Sequence, residues 1–566
     1  MTHLLLIYWL VLQAVPGRTF QNYYGQILIT EIMSDPSPPV GLPNAEYLEL
    51  LNTGSTDLSL KNWKLTIGQT QILLPDTLLP AGSYILLCHK NNLSLFTPYG
   101  RLCGLSSLTL PNDGASLALY SSTNQLVYAV SYSSSWWEPS KRQGGYALEI
   151  KDIHAPCTDR ENWQASVDPL GGTPSKINSI VVSLSDRQSP QLAYYGLYNQ
   201  QSVRMVFSER LDSLKLSFDG SFVMDGSPAR SILLQRPEFS VVQASLPKEL
   251  QIGIGEEFRI RNVSDCAGNL MPETSIRLGL PVIVDSGAVL ISEVLFNSLA
   301  EGVDYVELVN HSNNFVNLSG WKLGNVRNGR NENEKLITSH PLLIPPYGYL
   351  VVSIDGLKVF RQYPYDEKPL VGGRRYVNVS QLPAYALDTG GVVLFNDQGK
   401  VVDRLLYSQS MHDPLLAKQK GVSLERVNLQ KPSNAPGNWQ SASGASGFGT
   451  PGYANSQRYL AEALDLVVVE PEGFSPNGDG IDDIALVRFS FTRPGHFANV
   501  SIFNQNGRLI KILASNLSVG GQDTLVWDGT DQQGNLVAGG YYFIVSEVWN
   551  ASGYRQTFKC KLVLGR

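Results

Sequence analysis

A chain of 566 residues is too long for a single hydrophobic core and implies several domains. Charged residues make up only 17% and the formal net charge is −6, which excludes an electrostatic nucleic-acid surface and a salt-sensitive grip on acidic membranes. A low charged fraction with plentiful Gly, Ser, Asn and Tyr favours β-rich, turn-rich extracellular proteins over helical cytosolic enzymes.

The first element is an apolar run, LLLIYWLVLQAV, from Leu4 to Val15. It is too short to span a bilayer comfortably and is followed by Pro16 and Gly17. Residues 1–20 are therefore expected to be a secretory signal peptide, although no Lys or Arg precedes the run. The protein is expected to be exported, to the cell surface or beyond it. No later segment is apolar enough to cross a membrane as a helix.

From Ile27 the chain reads ILITEIMSDPS and then NAEYLELLNTGSTDLSLKNWKL to Leu65. Leu48 and Leu50 alternate with Glu49, the period of a strand, and NTGS is turn chemistry. Trp63 is a core anchor. Five cysteines are present, and none makes a CxxC or a zinc spacing. Cys88 and Cys103 are the best disulfide candidate; closing a loop of about 15 residues would contribute roughly 3 kcal/mol. Free core thiols are the competing reading. Further on, SSSWWEPSKR places Trp136 beside Trp137. Either indole is a candidate for carbohydrate contact. On an extended strand adjacent residues face opposite ways, so at most one need be buried.

The same pattern returns at Val289: VLISEVLFNS, then VDYVELVNHSNNFVNLSGWKL to Leu323. Glu31 matches Glu293, Glu49 matches Glu307, Asn52 matches Asn310, and Trp63 matches Trp321. Later, LPNDGASLALYSSTNQLVYAVSYS pairs with LDTGGVVLFNDQGKVVDRLLYS, GYALEI with GVSLER, and GGTPSK with GFGTPGY. Asn124 and Gly399 sit where a hairpin should reverse. Short strands at regular spacing predict an all-β architecture of β-sandwiches. The pattern of EYLEL or DYVEL, then Asn, then W-K-L resembles the lamin tail domain family, whose bacterial members occur in secreted and surface proteins; the resemblance implies an immunoglobulin-like fold, and hence serial immunoglobulin-like β-sandwich domains. The resemblance covers residues 26–177 and 287–454. The pairs Glu31 with Glu49 and Glu293 with Glu307 belong to that signature, which favours a structural role over acid–base chemistry.

Residues 178–286 lie between the copies. QQSVRMVFSERLD and VSDCAGN resemble the opening and closing strands of bacterial Ig-like domains, with Phe207 and Ser208 on a strand and Asp265, Gly268 and Asn269 in a turn. Residues 465–566 form the last domain. WDGTDQQGNLVAGGYYF resembles flagellar hook-cap-type Ig-like domains, whereas FSPNGDGIDD at its front resembles the start of gliding-motility-associated C-terminal domains. The latter resemblance implies a sorting signal for type IX secretion, hence secretion machinery as a partner. The middle of the domain departs from that family.

FSPNGDGIDD also carries the densest set of oxygen ligands. With Ser475 at position 1 of a calcium loop, Asn477 is 3, Asp479 is 5, Gly480 is 6, the Ile481 carbonyl is 7 and Asp483 is 9. Position 12 is Leu486 where a bidentate acid belongs. Calcium at Asn477, Asp479, Ile481 and Asp483 and a metal-free Gly/Asn turn both fit. There is no HExxH, phosphate-binding loop or GxSxG, and no candidate catalytic residue. The reading is a non-catalytic surface protein that adheres, spaces or binds an unidentified polysaccharide or protein. The alternatives are a carbohydrate-binding accessory protein and an exported hydrolase.

Overall fold

The computed structural model describes residues 25–565, apart from 157, 159, 185, 213–215, 217–219, 237–238, 266, 285, 365–372 and 462. The signal segment, Cys157 and Cys266 lie outside the described residues. The chain divides into two compact units, Met1–Gln188 with Arg236–Phe239, and Ser189–Gln235 with Ser240–Arg566.

The first unit is a sandwich. One sheet has six strands in the order Trp163–Ala165, Leu148–Ile150, Ile27–Met33, Tyr47–Asn52, Tyr84–His89, Leu102–Leu105. The other has four, Leu126–Ser133, Gly114–Tyr120, Lys64–Ile67 and Thr70–Leu73. Ile29, Leu48, Leu50, Trp63, Leu65, Leu117 and Leu119 meet between them. Asn124 takes φ 64° in the hairpin joining the last two long strands, a left-handed conformation that asparagine tolerates. The alternation at Leu48, Glu49 and Leu50 predicts one wet face, yet every residue of Tyr47–Asn52 is buried. The Glu face is covered because residues 172–179 fold back over it, as described below.

The second unit holds three sandwiches. The first pairs Leu192–Asn199, Ser202–Phe207, Val241–Ser245 and Ser231–Leu234 in one sheet, with Phe222–Met224, Glu256–Ile260 and Thr274–Leu278 in the other. Its closing turn is held by Asp265, whose carboxylate accepts the Asn269 backbone and side-chain N–H groups, each at 2.8 Å. Next comes the second copy of the repeat. Its sheets order as Tyr376–Asn378, Tyr349–Ser353, Tyr305–Asn310, Val289–Leu295, Leu424–Arg426, Trp439–Ser441, and as Arg330–Leu336, Lys322–Arg327, Thr389–Phe395, Val401–Ser408. It packs tightly on its predecessor: Phe315 and Leu343 enter the preceding core, and a Cβ at Gly279 would meet the Phe315 ring at 2.2 Å. The last sandwich sets Leu466–Glu470, Ala485–Ser490 and Gln522–Trp527 against a five-stranded sheet that includes His496–Asn504 and Gly540–Asn550.

Candidate functional site

The chemistry of the repeat lies in a row of three glutamates on neighbouring strands. Glu31 stands in register with Glu49 on one side and Glu149 on the other. Glu293 stands likewise between Glu307 and Glu425. Side chains opposite one another on one face have Cβ atoms about 5 Å apart, so each row is a line of like charges if ionised. All six side chains are 0% exposed.

A Gly-Thr-Pro segment caps each row with backbone N–H donors. In the first copy the Thr173 N–H donates to Glu31 Oε1 (2.9 Å), as does the Tyr47 hydroxyl (2.7 Å). The Ser175 N–H donates to Glu49 Oε2 (2.5 Å), and both the amide and the hydroxyl of Ser179 donate to Glu149 Oε2 (2.7 Å). The second copy repeats this. Thr450 N–H and Tyr305 hydroxyl donate to Glu293 Oε1, Gly452 N–H to Glu307 Oε2 (2.5 Å), and Ser456 hydroxyl and Gln457 N–H to Glu425 Oε2.

Burial, reinforced by the neighbouring Glu49 charge, holds the Glu31 carboxyl well above the usual carboxylate range. Burial raises Glu49 to about 8, against hydrogen bonds from Thr30 and Ser175. In the second copy burial lifts Glu293, and burial with the Glu293 charge lifts Glu307 well up and Glu425 to about 8. Each row therefore keeps protons at neutral pH. Glu31 Oε2, Glu293 Oε2 and Glu307 Oε1 have no hydrogen-bond partner among the described residues. Neither row brings three carboxylate oxygens within 4.8 Å of one another among the described residues, the approach a shared cation would need. No substrate touches a fully buried carboxyl, so these groups tie strands to a loop. The third member of each row, Glu149 and Glu425, was overlooked in the sequence, although GYALEI and GVSLER align them.

The acidic loop is closed by its own amides. Asp483 Oδ1 accepts from the Asn477 and Gly478 N–H groups (3.0 and 2.6 Å), and its Oδ2 from Gly480 N–H (2.8 Å). Asn477 Oδ1 accepts from Asp479 N–H, and Asp479 Oδ1 from Ile481 N–H. The hydrogen bonds from Gly478 and Gly480 hold the Asp483 carboxyl below its ordinary range. Of the groups predicted to hold calcium, the side chains of Asn477, Asp479 and Asp483 are thus gathered in one loop and accept hydrogen bonds from within it, the backbone N–H groups of residues 477–481 among the donors.

Trp136 and Trp137 are both buried, at 8% and 6% exposure, and belong to the sandwich core. The segment Ser134–Trp136 is a 3₁₀ turn and not a strand. Trp136 ends that turn and Trp137 follows it in an extended conformation, so the strict face alternation of a strand does not relate the two, and both indoles turn inward. Trp137 Nε1 donates to the Tyr146 carbonyl (2.8 Å). The disulfide expectation is corrected: Cys88 and Cys103 are free and buried. Their strands run parallel with Leu87 opposite Cys103 and Cys88 opposite Gly104. Neighbouring residues alternate faces, so the two sulfurs sit on opposite sides of the sheet. Cys103 faces the sandwich core, and Cys88 packs with Tyr47 and Phe96.

Residues 21–134 and 285–409 match the family model of the Lamin Tail Domain, and residues 478–551 that of the FlgD Ig-like domain. No curated protein matches the chain. Similar solved structures include the N-terminal part of the bacterial S-layer protein SbsC, at 12% identity over 39% of this chain and 44% of that one, with a TM-score of 0.16. PorZ, a surface component of the type-IX secretion system of Porphyromonas gingivalis, is 10% identical over 93% and 86%, with a TM-score of 0.15. The Bacteroides ovatus protein SGBP-B, solved with a mixed-linkage heptasaccharide, is 8% identical over 85% and 88%, with a TM-score of 0.16. The chain spans less than half the length of the SbsC fragment. Its architecture is thus two Lamin Tail Domain segments and a FlgD-type Ig-like segment on one all-β chain of serial Ig-like sandwiches.

Proposed function

We propose that this is an exported, non-catalytic surface protein whose sandwiches space and present binding loops. The observation that carries this reading is the sealed glutamate row. The carboxyls that mark the repeat, and that come nearest to a catalytic pair in the sequence, hold a loop onto a sheet at 0% exposure. What each sandwich offers to a partner is then its loops, held by a stiff scaffold. Residues 465–566 act in this reading as the sorting domain that engages secretion machinery. The test is a tagged full-length chain in its native host, treated with protease on intact cells. Cleavage from outside is expected, with loss of surface exposure when 465–566 is deleted. A chain fully protected in intact cells would overturn surface display. Display that survives the deletion would overturn the sorting role alone.

A further inference from the structure

The five-stranded sheet of the last sandwich has one face in the core, where Ile502, Ile544, Val548 and Leu562 meet. The outer face of such a sheet is expected to be polar. Half of this one is not. Opposite residues of an antiparallel pair share a face. The register therefore sets Phe503, Phe543 and Lys561 in one row, and Ser501, Val545 and Lys559 in the next. Leu509 stands opposite Phe503, Ile512 opposite Ser501, and Val563 opposite Tyr541. Leu509, Ile512, Tyr541, Phe543 and Val563 are 38–50% exposed. The face turns polar only beyond these rows, at Asn499, Glu547 and Thr557. A contiguous exposed apolar patch of this kind marks an interaction surface.

The strand Arg555–Leu564 runs along one margin of the patch and turns Arg555, Lys559 and Lys561 outward. The Lys561 ammonium lies 5.5 Å from the centre of the Tyr541 ring. Tyr541 thus holds a cation on the patch and does not offer its own ring. Elsewhere in the sandwich Arg488 pairs with Glu470 and Lys511 with Asp528. Among the described residues Arg555, Lys559 and Lys561 make no ion pair. Three such cations on one strand, in a chain of net charge −6, make a margin complementary to carboxylates. The opposite margin, Leu509–Val519, carries no acid.

We propose that this face docks a polypeptide partner with an apolar centre and carboxylates along one side, set to meet Lys559 and Lys561. Four strands of 9–11 residues make up the face. At about 3.4 Å per residue and about 4.8 Å between strands, the footprint is roughly 600 Å². One side of a specific protein interface covers about 600–1,000 Å², so the face is large enough to act alone. A second copy of the chain does not complement it. Stacking the face on itself about a twofold axis sets the cationic row on its own counterpart or on Leu509–Val519, and neither strand offers a carboxylate. An anionic lipid surface is also a poorer match, because the cations lie on one margin only and Glu547 stands on the face itself. The proposal does not depend on whether residues 465–566 direct sorting.

The test selects dodecapeptides from a phage-displayed random library on the intact chain and titrates the enriched peptides calorimetrically. Peptides that combine Asp or Glu with Phe, Leu or Val are expected, with an affinity that falls as salt rises. Lys559→Glu with Lys561→Glu is expected to weaken binding about tenfold or more, and Phe543→Ser with Ile512→Ser to do the same. Both pairs lie at exposed positions and are expected to leave the melting curve unchanged; where one pair does not fold, the other decides. No enrichment, enrichment of basic peptides, or binding unchanged in either folded pair would overturn the docking face. Binding to phosphatidylglycerol vesicles with no peptide enriched, lost in the lysine pair, would overturn the partner class. Self-association in sedimentation that the same pairs abolish would overturn it in favour of a second copy. Protease exposure on intact cells judges surface display separately.

Discussion

At the scale of single residues, a buried glutamate beside another glutamate sets the pH response of the repeat. The folded protein holds Glu49 and Glu425 protons to about pH 8, whereas the unfolded chain releases them near 4.5. The stability this confers is complete below the unfolded value and is lost as pH rises through 8. The slope is about 1.4 kcal/mol per pH unit for each proton held. Calorimetry of the intact chain at pH 6.5 and 9 should therefore show the transitions of both repeat copies falling by several degrees. Glu49→Gln should flatten the pH dependence of the first copy, because the amide mimics the protonated carboxyl. The second copy carries an opposing group. Burial depresses His412 to about 4, so stability present above pH 6.5 is lost as pH falls through 4. The first copy has Trp137 at that position. Between pH 6.5 and 4, His412→Gln should remove an acid-sensitive component from the second transition and leave the first unmoved.

At the scale of elements, the Gly-Thr-Pro caps tie each row to the loop above it. A Cβ at Gly172 would lie 2.3 Å from Glu31 Oε1 and 2.7 Å from the Tyr47 hydroxyl. Neither atom can yield without breaking the hydrogen bond between them. Gly172→Ala is expected to cost about 1–3 kcal/mol and to lower the transition of the first copy alone. Calorimetric transitions that all move together would contradict this. The strands and hairpin of the repeat were legible because Leu48, Leu50 and Trp63 carry a period and a turn chemistry that any sandwich needs. The cap was not. Thr173 lies 142 residues from Glu31, and backbone N–H donors leave no mark in a sequence. The same holds for Trp136 and Trp137, whose burial depends on a 3₁₀ turn that SSSWW does not announce. The entry loop 474–483 shows the opposite case, since its Asn, Asp and Gly pattern was read and its internal hydrogen bonds follow it. Because Asp483 already accepts three amides, Asp483→Ala should speed hydrogen exchange at Gly478 and Gly480. Millimolar calcium should leave the melting curve of the intact chain unchanged. A calcium-dependent rise that Asp483→Ala abolishes would overturn this account of the loop.

At the scale of the whole chain, the repeat was visible because its signature residues recur in order, and the FlgD-type segment because WDGTDQQGNLVAGGYYF carries a turn and a strand in one motif. Contacts between sandwiches were invisible, since they are made by isolated residues with no period of their own, such as Phe315 and Leu343 in the preceding core and single polar groups on loops. Within the second unit one such contact stands out. The loop that caps the second glutamate row also reaches the last sandwich: Ala445 N–H donates to the Ser518 carbonyl, and Gly521 N–H to that of Ser456. Asp523 is 5% exposed and accepts from the Ser446 hydroxyl (2.7 Å) and from Gly520 N–H (2.5 Å). Burial raises its pKa, and the hydrogen bonds from Gly520, Ser443 and Ser446 work against that shift. Gly495 N–H completes the contact on Gln457 Oε1, and the Gln457 amide itself caps Glu425. One loop thus serves the glutamate row and the junction together, so the second copy and the last sandwich should unfold as one cooperative block. Asp523→Ala strands a buried hydroxyl and a buried N–H, and is expected to cost about 2–4 kcal/mol. It should divide a shared calorimetric transition in two, the last sandwich melting earlier, whereas Asp523→Asn, which keeps an acceptor for one donor, should lower the shared transition without dividing it. Two separate transitions already present in the unaltered chain would show that the junction does not couple its neighbours.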